Sequence, residues 1–271
     1  MIRVHRVWES ALIAVDRIDH PSGEPHVDPG EEASGQYSIN FLERGHFSIT
    51  HRSRIWRVGT TDVFLTAPGQ VHQYIHDRSD AAPTDCCLAV CFKDALRDDV
   101  GSRLRVRTGD APVAIMTNRR AYLRQRLFDR LTAGPDSIAL DLLGMELVDA
   151  LDETGARRLH RPAQLSWYAR RIDAARERLD HEFSDGHTLA ELACDAAMSP
   201  FHFARVFREL TGVPPHRYLL RRRLSAAADM LRDGRSATEI CFAVGFQSLS
   251  HFVHVFRRVY GVPPSRYTRT R

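Results

Sequence analysis

The sequence predicts an α+β protein of two domains, a β domain followed by an all-helical domain. The chain has 271 residues, and domains usually contain roughly 100–200 residues. Short stretches of alternating apolar and polar residues fill the first half, and a segment of 20 residues occurs twice in the second half. The composition, 43% hydrophobic and 27% charged, excludes the disordered, collagen-like and coiled-coil classes.

A polar segment broken by proline predicts the boundary between the domains. We expect a first domain over residues 1–155, a linker over 156–164 and a second domain over 165–271. The net charge of +4 divides unevenly, because residues 1–160 carry −3 and residues 161–271 carry +7. A basic domain joined to a mildly acidic one predicts a nucleic-acid partner for the basic domain only.

The first half predicts a β-sandwich or a small barrel. Tyr37, Ile39 and Phe41 alternate with Ser38 and Asn40, which is the pattern of a strand with one buried face. Further short strands follow at intervals of roughly 8–12 residues as far as residue 92. Apolar positions between residues 118 and 152 then predict two flanking helices, broken at Gly134-Pro135.

The second half contains an internal repeat, since residues 199–218 and 248–267 are identical at 12 of 20 positions. Ahead of each copy, Thr188-Leu-Ala-Glu191 and Ser236-Ala-Thr-Glu239 have the spacing of a capping box, which opens a short helix. A serine at the start of each copy caps a second helix, and a glycine ends it. We therefore predict two helix-turn-helix units, at about 188–212 and 236–261.

The second helix of each unit is amphipathic. Phe203, Val206, Phe207 and Leu210 have the spacing of a buried helix face, as do Phe252, Val255, Phe256 and Val259. The opposite faces can donate to base edges, contact a thymine methyl group or pair with phosphate, so they are the candidate DNA-binding residues. These are Phe201, His202, Ala204, Arg205 and Arg208 in the first unit, and Leu249, Ser250, Val253, His254 and Arg257 in the second. An ordinary solvated face, and packing of Phe201 on a neighbouring helix, are the alternatives.

The last 100 or so residues resemble the DNA-binding domain of AraC/XylS-type transcriptional regulators. The resemblance is carried by Gly245-Phe-Gln-Ser-Leu-Ser-His-Phe252, by Phe256-Arg257 and by Gly261-Val-Pro-Pro-Ser-Arg-Tyr267. It implies seven helices, with a linker helix at about Pro215 to Arg232, and two second helices that enter successive major grooves on one face of the DNA. His254 stands where many members have arginine, so we expect Arg205 to contribute more to sequence preference.

The segment from Gly59 to His72 resembles the cupin-like sensor domain of the same regulators. The resemblance implies a jelly-roll whose interior either binds a small molecule or is simply packed. Our candidate effector-binding residues are His26, Tyr37, His72 and Tyr74. In the family, helices in the region of residues 118–152 often serve dimer contacts; covering the barrel is the alternative role.

Two other functions compete with that of a sensor-regulated transcription factor. A metal-dependent cupin enzyme needs converging histidine and glutamate ligands, and only His72 fits that pattern, since no His-x-His occurs at His26. We therefore expect no catalytic metal, no cofactor and no enzymatic activity. A thiol-based redox sensor would use Cys86, Cys87 and Cys91, whose apolar surroundings instead favour buried side chains.

Double-stranded promoter DNA and a small-molecule effector are the partners that we expect. Contact with RNA polymerase and formation of a homodimer are left open. No apolar run reaches the length of about 18–20 residues that a membrane span requires, and the first ten residues lack the apolar core of a signal peptide. The sequence therefore predicts a cytoplasmic protein without a membrane partner.

Overall fold

The computed structural model describes residues 3–19, 30–76, 85–134, 136–152 and 159–267. The chain divides into two compact units, residues 1–159 and 160–271. Of the predicted linker, residues 156–158 lie outside the described part, and Pro162 already begins a helix. Proline is favoured at the first position of a helix because its fixed φ suits the helix and its missing N–H would have no partner there. The end of the predicted linker is therefore helical.

The N-terminal unit has ten strands within its described residues. They are β1 (Arg3–Glu9), β2 (Ile13–Asp19), β3 (Glu32–Ala33), β4 (Tyr37–Arg44), β5 (His46–His51), β6 (Arg54–Gly59), β7 (Asp62–Thr66), β8 (Val71–Ile75), β9 (Cys86–Phe92) and β10 (Val113–Ile115). A six-stranded sheet has the order β1-β2-β9-β4-β7-β10, and a four-stranded sheet has the order β3-β8-β5-β6. The predicted β domain is confirmed, and the structure adds β1, β2, β3 and β10, which lie outside residues 37–92.

The core of this unit lies between the two sheets. Phe47 and Ile49 of the smaller sheet pack with Phe64 and Cys87 of the larger one. The strand β9 is buried along its whole length. Because neighbouring side chains of a strand point to opposite faces, Cys87 and Cys91 face the interior with the same side of β9, and Phe92 faces outward.

Three helices accompany the sheets: α1 (Arg97–Asp110), α2 (Asn118–Ala133) and α3 (Ser137–Ala150). Gly144 allows α3 to lie close to the outer face of the larger sheet. A Cβ at this position would lie only 3.1 Å from Ile13 Cδ1 and would also meet Phe92. Buried Arg120 of α2 donates hydrogen bonds of 3.1 Å to the carbonyls of Ala150 and Leu151, which satisfies the end of α3. The helices therefore cover the sheet.

The C-terminal unit is helical, as predicted. Its described residues form α4 (Pro162–His181), α5 (Leu189–Asp195), α6 (Pro200–Thr211), α7 (Pro215–Arg232), α8 (Ala237–Ala243) and α9 (Leu249–Tyr260), followed by a 3-10 turn at Pro264–Arg266. The resemblance implies seven helices, and six α-helices occur among the described residues. The linker helix α7 has the predicted bounds. Both capping boxes form, at Thr188 with Glu191 and at Ser236 with Glu239.

The predicted apolar faces of α6 and α9 are buried, except that Val255 is half-buried against the same core and Val259 is exposed. Phe203, Val206, Phe207 and Leu210 of α6 are buried, and Phe252 and Phe256 are buried in α9. Val259 is 56% exposed, so the prediction that it faces the core is wrong. At this end of α9, the rings of Tyr260 and Tyr267 pack on Phe256.

The two helix-turn-helix units use the same turn with different residues. Ala197 and Gly245 each follow the N-cap of their unit by nine residues, and both have a positive φ, of 53° and 86°. Only the second turn requires glycine for space, because a Cβ on Gly245 would overlap the backbone carbonyl of Ser184 and lie 3.0 Å from the Arg223 guanidinium carbon.

We predict that Gly245→Ala destabilises the protein much more than Gly234→Ala. Both glycines have a positive φ, but nothing lies within 4 Å of a Cβ at Gly234. Left-handed strain costs about 1–2 kcal/mol at either position. The overlap at Gly245 adds about 1–3 kcal/mol. Denaturant unfolding of the two variants measures the difference, and equal losses would contradict the described turn.

Candidate nucleic-acid interface and ligand cavity

One face of α6 presents a row of exposed side chains. Phe201, Arg205 and Arg208 are spaced four and three residues apart and are all exposed, Phe201 by 82%. That exposure excludes packing of Phe201 on a neighbouring helix. A large exposed aromatic ring beside two guanidinium groups is an arrangement that suits a partner with both apolar and anionic groups.

His202 and Ala204 are placed differently from the rest of the predicted set. Both are half-buried. Ala204 lies in an apolar groove that it lines together with Leu192 and Leu219. The His202 ring makes two hydrogen bonds, each of 3.1 Å, one between Nε2 and the Tyr168 hydroxyl on α4 and one between Nδ1 and the Arg205 guanidinium.

These two bonds indicate which nitrogen of the His202 ring accepts a hydrogen bond and which can donate one. Arginine can only donate, so Nδ1 of His202 must accept from Arg205. With Nδ1 as the acceptor, Nε2 is the ring nitrogen that can donate to the Tyr168 hydroxyl. Gln164 also donates to that hydroxyl, over 3.1 Å. A chain of hydrogen bonds thus runs from α4 through His202 to the head group of Arg205.

The exposed face of α9 repeats the arrangement of α6 with other residues. Ser250, His254 and Arg257 are exposed at the positions that correspond to Phe201, Arg205 and Arg208. Leu249 is 37% exposed, whereas Val253 is half-buried and packs against the core of its unit. His251 corresponds to His202, but its ring contacts the ring of Phe246 at 5.6 Å between centroids. The structure gives His251 no bond to His254 like the one that joins His202 to Arg205.

The N-terminal unit encloses a cavity of about 470 Å³ between its two sheets. Tyr74 lines it from the smaller sheet, and Ser38 and Asn40 line it from β4. These polar groups are linked, since Ser38 Oγ lies 2.7 Å from the Thr66 hydroxyl and accepts a 2.7 Å bond from the Asn40 amide. The volume is in the range of small-molecule sites, which is roughly 300–1,000 Å³.

Two of the other predicted effector residues, Tyr37 and His72, do not line this cavity. His26 lies outside the described residues. Tyr37 is buried on β4, but neighbours Ser38 and so points to the opposite face of the strand. His72 borders a second, more open cavity beside His51, with 5.2 Å between the two rings. Burial, and then the neighbouring His51, lowers the pKa of His72 to about 4, so its ring is neutral at physiological pH.

The cavity is also lined by residues that the sequence analysis did not predict. Asp16 of β2 lines it, together with His76 and Asp85, whose side chains form a buried pair with 3.3 Å between Nε2 and Oδ1. Strand β2 was not predicted, because its alternation is interrupted by charged residues. The register that brings Asp16 opposite Ala89 of β9 cannot be deduced from local sequence.

The three candidate redox cysteines are buried. Burial raises the pKa of Cys87, and it raises the pKa of Cys91 to about 12. Burial also raises the pKa of Cys86, whose thiol lies 3.2 Å from Arg17 Nε. Because the thiolate is the reactive form, these thiols are weak nucleophiles at neutral pH. Among the described residues, no three histidine, cysteine, aspartate or glutamate side chains are placed to hold a metal ion.

Two family models match the chain in separate regions. Residues 22–148 match the AraC-like ligand binding domain, and residues 192–270 match a helix-turn-helix domain. The chain is an AraC-type transcriptional regulator. It combines a DNA-binding domain with a ligand-binding domain that modulates it. The recognised resemblance and the predicted fold class, a cupin-like β domain followed by two helix-turn-helix units, are therefore confirmed.

Solved structures similar to this AraC-type regulator match either one domain or the whole chain. The C-terminal domain of AraT, a response regulator from Geobacillus stearothermophilus, is 28% identical over 37% of this chain and 85% of its own, with a TM-score of 0.36. Wild-type ToxT from Vibrio cholerae, solved with a bound unsaturated fatty acid, is 12% identical over 95% of this chain and 95% of its own, with a TM-score of 0.34. A cupin superfamily protein from Desulfitobacterium hafniense is 14% identical over 35% of this chain and 79% of its own, with a TM-score of 0.28.

A search of curated proteins gives no match. The family assignment therefore rests on the two family models. Within the described residues, no helix has the length and apolar character needed to cross a membrane.

Proposed function

We propose that α6 and α9 of this AraC-type regulator enter two successive major grooves on one face of promoter DNA. The observation that carries the proposal is the repeated exposed row, Phe201, Arg205 and Arg208 on α6 and Ser250, His254 and Arg257 on α9. Both rows stand on helices whose other face is fixed in a core. Successive major grooves on one face of B-DNA are about 34 Å apart.

Within each row, the position along the helix distinguishes two roles. Arg205 and His254 stand near the middle of the row and are proposed to contact base edges. Phe201 and Leu249 offer apolar surface to thymine methyl groups, and Ser250 offers a hydroxyl. Arg208 and Arg257, further along, are proposed to pair with phosphates and to supply affinity that depends on salt. Val253 and Ala204, both half-buried, contribute only an edge of apolar surface.

His202 is proposed to position Arg205 rather than to contact DNA by itself. Its two ring nitrogens are already bonded to Tyr168 and Arg205. Holding a long side chain in one orientation before binding removes part of the entropy cost of ordering it on the DNA. The first unit is therefore better prepared for base recognition than the second.

The cavity of the N-terminal unit is proposed to hold the effector, with Tyr74 as one of its contacts. The protein is proposed to bind that effector without transforming it, and to act in the cytoplasm, where promoter DNA is found. Ile138 and Leu142 lie four residues apart on α3 and are 72% and 59% exposed. This apolar strip supports docking of a second copy of the chain.

We predict that Arg205→Ala weakens binding to an operator fragment more than His254→Ala. A bidentate arginine contact with guanine contributes about 1–3 kcal/mol of discrimination, which a histidine does not match. Titrations at fixed salt, on an operator obtained by genomic footprinting, measure both losses. Arg208→Ala is the matched control, and it should reduce the dependence of affinity on salt without changing sequence preference. Equal losses for Arg205→Ala and His254→Ala would contradict the ranking.

We predict that His202→Phe lowers operator affinity about tenfold, which corresponds to about 1.4 kcal/mol. The phenyl ring fills the same space but cannot accept from Arg205. His202→Asn should restore most of the loss, because its amide oxygen can replace Nδ1 as the acceptor. His251→Phe, at the equivalent position of the second unit, is the control and should have little effect.

A double-mutant cycle separates positioning from direct contact for His202. If the ring acts through Arg205, His202→Phe has no further effect on operator affinity once Arg205→Ala is present. Additive losses in the double variant would show that His202 contacts DNA independently of Arg205.

A further inference from the structure

The cavity of the N-terminal unit is lined by acids. Its described ionisable lining residues include three carboxylates, on Asp16, Glu32 and Asp85, and one imidazole, on His76. No lysine or arginine occurs among the described residues that line it. An anionic ligand would have to approach these carboxylates without a basic lining residue to pair with, which is unfavourable in a partly desolvated site.

The carboxylates differ in their partners inside the protein. Asp16 accepts from the guanidinium of Arg6, which lies on β1 outside the lining. A carboxylate has about four lone-pair sites on its two oxygens, and two bonds from Arg6 and one from the Cys91 thiol use three of those of Asp16. The Asp85 carboxylate lies 3.3 Å from Nε2 of the His76 imidazole, and both side chains are buried. Glu32, on β3, is exposed and adds a third negative charge.

Aromatic rings form one wall of the same cavity. Phe47, Phe64 and Tyr74 meet edge to face, with centroid separations between 5.7 and 6.2 Å. The faces of aromatic rings are electron-rich and attract ammonium groups within about 6 Å. Aromatic rings beside carboxylates are a combination that binds organic cations.

The side chain of Asn40 is also left with an acceptor. The Asn40 amide nitrogen is used in bonds to Ser38 and to the Phe64 carbonyl, of 2.7 and 3.0 Å. The carbonyl oxygen of the Asn40 side chain is therefore the atom that can bind a ligand, and it requires a donor.

We infer that the effector of this regulator is a small organic cation with an ammonium group and an apolar portion. The ammonium group lies near Asp85 and Asp16, and the apolar portion lies against the rings of Phe47, Phe64 and Tyr74. The inference rests on the proposed function in one respect, that the cavity is the effector site. It extends that proposal by stating the charge of the ligand.

The test is calorimetric titration of the full-length protein with three probes of similar size that differ in charge. The probes are 2-phenylethylamine, 2-phenylethanol and phenylacetate. The inference predicts that the amine binds at least tenfold more tightly than the alcohol and that the carboxylate binds weakest. Asp85→Asn should reduce amine affinity at least tenfold and leave alcohol affinity unchanged, which also shows that the variant is folded.

Glu43→Gln is the matched control, because Glu43 is a carboxylate of the same unit that does not line the cavity. It should leave amine affinity unchanged. If the alcohol or the carboxylate binds more tightly than the amine, or Asp85→Asn does not change the preference, the inference is wrong and the cavity remains an effector site. If none of the three binds at millimolar concentration, the proposed effector site fails together with the inference.

Discussion

The guanidinium of Arg223 is the interaction on which the geometry of the DNA-binding domain depends. From α7 it donates to the carbonyls of Phe183, Asp185 and Gly245, over 2.7, 2.7 and 2.9 Å. The first two carbonyls belong to the segment after α4, and the third belongs to the turn of the second helix-turn-helix unit. Burial lowers the pKa of Arg223, yet arginine remains charged, and hydrogen bonds from a charged donor contribute about 1.5–3 kcal/mol each.

This interaction joins two parts of the domain that the chain separates by about sixty residues. It requires close approach of the backbones at Ser184 and Gly245, which is why Gly245 cannot carry a Cβ. The linker helix α7 has 18 residues and is therefore about 27 Å long. A rigid helix with a fixed turn at one end can set the spacing between α6 and α9, and that spacing determines whether both reach the same face of the DNA.

The sequence predicts well whatever depends on local pattern. The capping boxes at Thr188 and Ser236 and the buried face of α6 follow from spacing within a few turns of helix, whereas the bounds of α7 follow from the family resemblance. The prediction for Val259 is wrong because the apolar spacing continues to the end of α9, whereas the residues that pack on Phe256 there are Tyr260 and Tyr267, the second of which lies beyond the helix. Strands β1 and β2 were not predicted, because charged residues interrupt their alternation of apolar and polar residues.

The features of the candidate sites also separate into those that follow from local pattern and those that depend on tertiary contacts. The exposure of Phe201, Arg205 and His254 follows from helix periodicity, and the structure adds little to it. The bond from His202 to Tyr168 joins residues 34 positions apart, and the pair of His76 and Asp85 depends on strands brought together in the sandwich. These contacts depend on the tertiary fold, so local sequence patterns do not predict them. The two repeats have nearly the same backbone plan, and they differ in the contacts of His202 and His251.

We propose that one monomer places two recognition helices in two successive major grooves. Hydroxyl-radical and methylation footprinting of the full-length protein on an operator tests it most directly. We expect two protected major-groove segments on one face of the DNA, separated by about 10–10.5 base pairs. A single protected segment per bound monomer, or protection confined to the minor groove, would contradict it.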